Sequence, residues 1–233
     1  MQALTFDFWN TLFKESDPAK TASLRIEGLE EVIKRYGHNV EKDLIRKKLV
    51  LCWDIARREQ LISGIDITPR KHVENLICLL ELPLNEKMME EMYYVYTNVL
   101  WEVPPLLMND RFEVLESLAQ KYPLGLICNT GATPGVVLRE FMTSQGIHQF
   151  FSTVVFSDEV GWAKPNPEIF HYTLRLLGAD PPASLHTGDD PLTDVIGARK
   201  AGMKSVWLAP EAVWAVPECT WHIKEFKELT SIL

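Results

Sequence analysis

Asp7 ends the apolar run "ALTF", Asn129 and Thr130 follow "LGLIC", Lys164 lies in "VGWAKPNP", and Asp189, Asp190 and Asp194 share "GDDPLTD". Three carboxylates within six residues repel one another unless a cation lies among them. If the fold brings Asp7 and Lys164 to the same place, the set offers hard oxygen donors for a divalent metal. It also offers a fixed positive charge to offset an anionic substrate. Asp and Asn are equally good helix N-caps, so each residue also has a purely structural use. The chemical reading depends on convergence.

The surrounding elements predict that convergence. "QALTFDF" (2–8), "LGLIC" (124–128), "TVVFS" (153–157), "SLHTG" (184–188) and "KSVWLA" (204–209) read as short buried strands. Helical segments alternate with them. "TPGVVLREFMTSQG" opens with Thr133 as N-cap and Pro134 at the first helical position, and "NPEIFHYTLRLLG" runs from Asn166 and Pro167 to Gly178. This rhythm predicts an α/β fold, a Rossmann-like parallel sheet with helices on both faces. Ligands of such sheets bind beyond the carboxyl ends of the strands, where all four clusters fall.

Between about residues 17 and 103 the rhythm breaks, because four helical patterns follow one another without a strand. Leu29, Val32, Ile33 and Tyr36 keep helical spacing, as do Val73, Leu76, Ile77 and Leu80. The expectation is an all-helical cap, 17–103, inserted into a core of 1–16 and 104–233, with Pro104 and Pro105 stiffening the return. "MMEEMYYVYTNVLW" reads as cap core; Trp53, Tyr93 and Tyr96 are candidates for a pocket wall, and Arg57 and Arg58 for a solvated face.

Acidic residues outnumber Lys plus Arg by 32 to 24, with no basic block, which argues against nucleic acid as a partner. The four cysteines are scattered, as expected of reduced thiols in a cytoplasm. No apolar run approaches the roughly 20 residues of a membrane span. The six histidines share no metal spacing and read as structural. Oligomeric state is not encoded in any of these features.

"FDFWNTL", "LICNTG", "GWAKPNPEIF" and "GDDPLTDVIGARKAG" occur in an order and spacing that resemble the haloacid dehalogenase-like (HAD) hydrolases with a helical cap between the first two motifs. The resemblance implies that Asp7 is a nucleophile forming a covalent aspartyl intermediate, that the Thr11 hydroxyl orients the first motif, and that Lys164 bridges Asp7 and substrate. It implies Mg²⁺ held by Asp7, Asp189 and the Trp9 carbonyl, with Asp194 acting through water. Cys128, Asn129 and Thr130 would face the substrate phosphate.

Two positions depart from the family pattern. Trp9 stands where its phosphatases carry a second Asp as general acid and base, and Cys128 where they carry Ser or Thr. A positioned acid or base contributes about 10² to 10⁴ in rate, and an indole cannot supply it. The expected function is Mg²⁺-dependent, phosphatase-type hydrolysis of a small anionic metabolite, favouring good leaving groups. One alternative is metal-independent 2-haloacid dehalogenation, whose enzymes have an aromatic residue at the Trp9 position but lack the metal-binding Asp. Others are phosphonate cleavage and a catalytically weak relative serving as a binding module.

Overall fold

A residue in a central strand of a parallel sheet is buried on whichever side it points, so such strands favour apolar residues, and the polar ones they carry must find partners. Strand β1 (Ala3–Phe6) is buried at all four positions. In the computed structural model, which describes residues 1–233, Leu4 and Phe6 enter one core with Leu124, Leu126, Leu138 and Phe141. Ala3 enters the other, with Ile127, Val155, Ile169, Phe170 and Leu174. The further strands are β2 (Phe13–Lys14), β3 (Leu106–Leu107), β4 (Leu124–Cys128), β5 (Thr153–Phe156), β6 (Ser184–Gly188), β7 (Lys204–Leu208) and β8 (Trp221–Ile223). Six of them form one sheet in the order β5-β4-β1-β6-β7-β8, every pairing parallel. Phe6 is in register with Leu126 and Thr187, which sets the carboxyl ends of the three central strands side by side.

The chain is thus α/β as its pattern predicts, with differences at particular elements. The first strand stops at Phe6, before Asp7 and Phe8. Strand β8, three residues on the sheet edge, adds to the expected set; "WHI" is too short to show alternation. Helix α6 (Gly135–Ser144) starts one residue later than its local signal, with Pro134 as the cap at ψ 160° instead of the first helical residue. The reason is a distant cap: both carboxylate oxygens of Asp158 accept from the Gly135 amide at 3.2 Å, displacing Thr133 from that position. Helix α8 (Pro167–Leu177) follows its signals, with the Asn166 side chain accepting from the Glu168 amide and Gly178 left-handed at φ 63°.

Helices α1 (Pro18–Arg35), α2 (Lys42–Ile62), α3 (Pro69–Leu79) and α4 (Glu86–Thr97) bury their own apolar cluster, with Leu29, Val32, Ile45, Leu49, Val73, Leu76, Met88 and Met92 inside it. Their two connections to the sheet are tied by the antiparallel β2–β3 pair and by the Ser16 hydroxyl donating to the Pro104 carbonyl at 2.8 Å. The α2–α3 loop docks on the Lys164 loop: Ala163 N donates to Gly64 O at 2.9 Å and Asp66 N to Gly161 O at 3.0 Å. No helix is long and apolar enough to cross a membrane.

Candidate active site

Strand β1 ends where Asp7 N donates to Thr187 O at 2.9 Å, fixing the aspartate at the sheet edge with its side chain almost wholly buried. Lys164, 1 % exposed, donates from Nζ to Asp7 Oδ1 at 2.6 Å and to Asp194 Oδ1 at 2.7 Å. Its backbone is clamped by Asn129, whose Oδ1 accepts from Lys164 N at 2.7 Å and whose Nδ2 donates to Lys164 O at 2.8 Å. Residues far apart in sequence are thereby brought together, and Asn129 holds Lys164 by both its amide and its carbonyl.

The electrostatics follow from burial. Burial lifts the Asp7 carboxyl to about 6, with Lys164 opposing the rise. Asp194 would be lifted as well, but Lys164 and His186 hold it well below the usual carboxylate range. Burial would pull Lys164 down; the two carboxylates override it and keep the ammonium firmly charged. Asp189 is the group left over. Burial and the charges of Asp7 and Asp194 push it up to about 7, and no cation reaches ion-pair distance of its side chain.

One oxygen each of Asp7, Asp189 and Asp194 lie within 4.8 Å of one another. Three hard donors around a point with an unneutralised carboxylate fit a divalent cation, which would bring Asp189 back to the charged form. Asp190 serves the local backbone instead. Its Oδ1 accepts from the amides of Leu192 and Thr193 and caps the turn Pro191–Val195 that leads into α9 (Ile196–Lys200). Gly188 is required here, since any side chain at that position would collide with the Asp194 carboxylate.

Other residues singled out by sequence lie in distinct places. Trp9 is half-buried, edge-on to Phe8 at 4.8 Å, and lines the cavity floor. Its backbone bridges Phe13 through Asn10 N to Phe13 O and Phe13 N to Phe8 O, a pattern that does not use the Trp9 carbonyl. Thr11 is fully buried and its hydroxyl has no partner; its carbonyl accepts from Arg111 Nε at 3.0 Å. The Cys128 thiol is buried and pushed well up by desolvation, with only a 3.5 Å contact to the Asn129 carbonyl. Thr130 turns away from Asp7: its amide donates to Ser157 Oγ at 2.8 Å and its hydroxyl faces Ser157 and Asp66.

A cavity of about 500 Å³ lies between the segments that follow β1 and β4 and the helices; Asp7, Lys164, Asp189 and Asp194 do not line it themselves, but Trp9 and Asn129 beside them do. Trp9, Asn10 and residues Asn129 to Thr133 form its floor; Arg25, Trp53, Arg57, Gln60 and His72 are on the facing wall. Trp53 lies against Gly131, where a Cβ would strike the indole. Arg57 reaches to 3.9 Å of Asp190, whereas Arg58 is not part of the wall. Tyr96 is fully buried and bonds His72 at 3.0 Å; neither it nor Tyr93 lines the cavity, which corrects that expectation.

Sequence reasoning passes over Asp66 and Ser157 and reads His186 as structural. His186 Nε2 is 3.3 Å from Asp194 Oδ1 and its Nδ1 2.9 Å from the Thr5 hydroxyl. Burial holds the ring neutral, so Nε2 carries the proton to the carboxylate and Nδ1 accepts from Thr5. The one sequence signal for His186 is its place within the buried strand "SLHTG". Asp66 carries none.

The family model described as haloacid dehalogenase-like hydrolase matches residues 5–208. A glyceraldehyde 3-phosphate phosphatase of Methanothermobacter thermautotrophicus is 34% identical over 118 residues, half of each chain. The enzyme of the same name from Pyrococcus abyssi is 29% identical over 211 residues, 89% of this chain and 81% of that one. This chain therefore spans about half the length of the first relative and four fifths of the second. Among solved structures, a 2-haloacid dehalogenase of Pseudomonas syringae superposes with a TM-score of 0.73 at 20% identity, covering 100% of this chain and 97% of that one. That likeness speaks for the fold alone.

Proposed function

This chain belongs to the haloacid dehalogenase-like hydrolase family, and from that premise we propose that it is a Mg²⁺-dependent hydrolase of the phosphatase type acting on a small phosphorylated metabolite. The observation that carries the reading is Lys164 joined to both Asp7 and Asp194 beside an unneutralised Asp189. The phosphatase names of the two curated relatives support it, and the four unpaired cysteines are in keeping with a cytoplasmic enzyme.

In this reading an Asp7 carboxylate oxygen attacks the substrate phosphorus, and the bond to the leaving oxygen breaks, giving an aspartyl phosphate and an alkoxide. Water then attacks that phosphorus, the bond to Asp7 breaks, and inorganic phosphate leaves with Asp7 restored. Lys164 offsets charge on the attacking carboxylate and on the transferred group. Asp7, Asp189 and the Trp9 carbonyl would hold Mg²⁺, with Asp194 behind them; the ion supplies further charge neutralisation at the phosphoryl oxygens. Thr11 would hold the first motif through its carbonyl, which accepts from Arg111, and Asn129 would hold Lys164 by its backbone, with Cys128 buried at the end of its strand and Thr130 bonded to Ser157. Residues 17–103 act as a cap over the core of 1–16 and 104–233, excluding water and choosing the substrate. Trp9 cannot protonate the departing alkoxide, so substrates with good leaving groups, acyl and aryl phosphates, turn over best.

Trp9 also supports the second reading, metal-independent dehalogenation, in which halide departs without a proton. One experiment separates the two: phosphate and halide release, side by side, from an acyl phosphate, an aryl phosphate, sugar phosphates and 2-chloropropionate, with and without Mg²⁺. Mg²⁺-dependent phosphate release that falls by about 10⁴-fold or more in Asp7→Asn is the expected result. Halide release without metal would replace the phosphatase reading with the dehalogenase one.

A further inference from the structure

Arg25 is a cation on the cavity wall that the proposed reaction leaves unused. It projects from α1 into the wall that faces Trp9, Asn129 and Thr130, and it is half-buried. Its Nε donates to the Tyr96 carbonyl at 3.0 Å, and its guanidinium carbon lies 5.2 Å from the centre of the Tyr96 ring. These two contacts fix the orientation of the planar group. They leave both Nη atoms without an acceptor, and no carboxylate comes within ion-pair distance.

The other arginines withdrawn from solvent are treated differently. Arg111 and Arg139 each hold a carboxylate at 2.7 Å. Glu15, also on the cavity wall, attracts Arg25 from farther away and is itself exposed. A cation taken partly out of water with nothing opposite its donor fork is costly unless a ligand supplies the anion. The cavity volume suits a metabolite of a few carbons that reaches from one wall to the other.

The geometry points to Arg25 as the receptor for a second anionic group of the substrate, a carboxylate or a second phosphate, at the end remote from the phosphate that Asp7 attacks. This rests on the phosphatase reading and narrows its substrate class to phosphate esters with two anionic ends. The guanidinium fork accepts either anion in bidentate fashion.

The test uses 3-phosphoglycerate, fructose 1,6-bisphosphate and glycerol 3-phosphate: a distal carboxylate, a distal phosphate and no second anion. With Mg²⁺, the unaltered enzyme is expected to favour one or both of the first two over glycerol 3-phosphate by about 10- to 100-fold in kcat/KM. Arg25→Gln should bring that ratio toward one, chiefly through KM, and Arg25→Lys should restore part of it. Which of the two favoured probes responds identifies the anion.

Absence of the preference in the unaltered enzyme overturns the proposal. So does an Arg25→Gln protein, folded by circular dichroism, that slows all three substrates equally; that result would make Arg25 a support for Tyr96. Turnover of 4-nitrophenyl phosphate reads the hydrolase itself. If that substrate and the three esters are all untouched, the phosphatase reading fails, and calorimetric titration of the same three compounds still judges Arg25. Discrimination lost in Arg25→Gln sustains the subsite; equal binding by the unaltered protein removes it.

Discussion

The buried charges behind the cavity floor and those on the facing wall differ in how many bonds hold each group. Behind the floor, Lys164 bonds two buried carboxylates while Asn129, which lines the floor, grips its backbone twice, and Asp194 is further bonded by His186 and the Asp190 amide. On the wall, Arg25 makes one hydrogen bond and Arg57, largely exposed, stands 3.9 Å from its nearest carboxylate. A group fixed by several partners keeps its position whatever enters the cavity. A group fixed by one can complete its bonding with a ligand. In the proposed reading, this difference suits the chemistry to the floor and selection to the wall.

Removing Lys164 is the harshest test of the floor. Lys164→Met leaves Asp7 and Asp194 buried together without their shared cation, and a buried pair broken on one side costs about 3–5 kcal/mol. The loss should be largest near pH 8 and partly recovered near pH 5, where Asp7, already lifted toward 6, takes up a proton and relieves the repulsion. Urea unfolding at the two pH values measures this, and phosphate release should drop about 10²- to 10³-fold at the same time. Equal stability at both pH values would mean that the floor is less tightly coupled than its distances imply.

A smaller effect is expected at Trp9, where floor meets wall. Trp9→Asp places a carboxyl in the position the sequence lacks and should raise turnover of alkyl phosphates by about 10²-fold relative to an aryl phosphate, whose leaving group needs no proton. Parallel kinetics on the two substrate types, with circular dichroism to show folding, check it. No relative gain would show that protonation does not limit the unaltered enzyme.

What the sequence discloses follows the same division. Four strands of the parallel sheet are visible as short, mostly buried runs set between helical segments, and α8 because Asn166, Pro167 and Gly178 act locally. Helix α6 begins one residue past its local signal because its cap, Asp158, arrives from 23 positions away. Asp7, Lys164 and Asp189 stand out as charges at strand ends, but that Asn129 clamps Lys164 and that Thr130 faces Ser157 depends on how loops fold across strands. On the wall, Arg25 has ordinary helical surroundings in sequence; only its missing partner marks it, and absence of a contact is visible in three dimensions alone. Tyr96 misleads for the converse reason, as an aromatic residue whose hydroxyl finds His72 within the apolar cluster of helices α1 to α4.

The mildest prediction concerns the joint between the regions. Asp66, in the α2–α3 loop, is 7% exposed and accepts from Gln60 Nε2 at 3.0 Å and more weakly from Thr130 at 3.5 Å. Desolvation outweighs these bonds and lifts its carboxyl to about 6 from 3.8. A carboxyl whose pKa is raised by folding contributes most stability below its unfolded value, and that contribution is lost as pH climbs through the folded one. Asp66 should therefore make the protein less stable at pH 8 than at pH 4, by up to roughly 3 kcal/mol from this group alone. His72, lowered to about 4 by burial, works in the opposite direction, so the total profile mixes the two. The difference between Asp66→Asn and the unaltered protein isolates the aspartate, because Asn keeps an acceptor for Gln60 and never ionises. That difference should grow in the variant's favour between pH 4 and pH 7 and level off above. A flat difference would place the charge of Asp66 in contact with water, and the joint would then be looser than the floor it rests on.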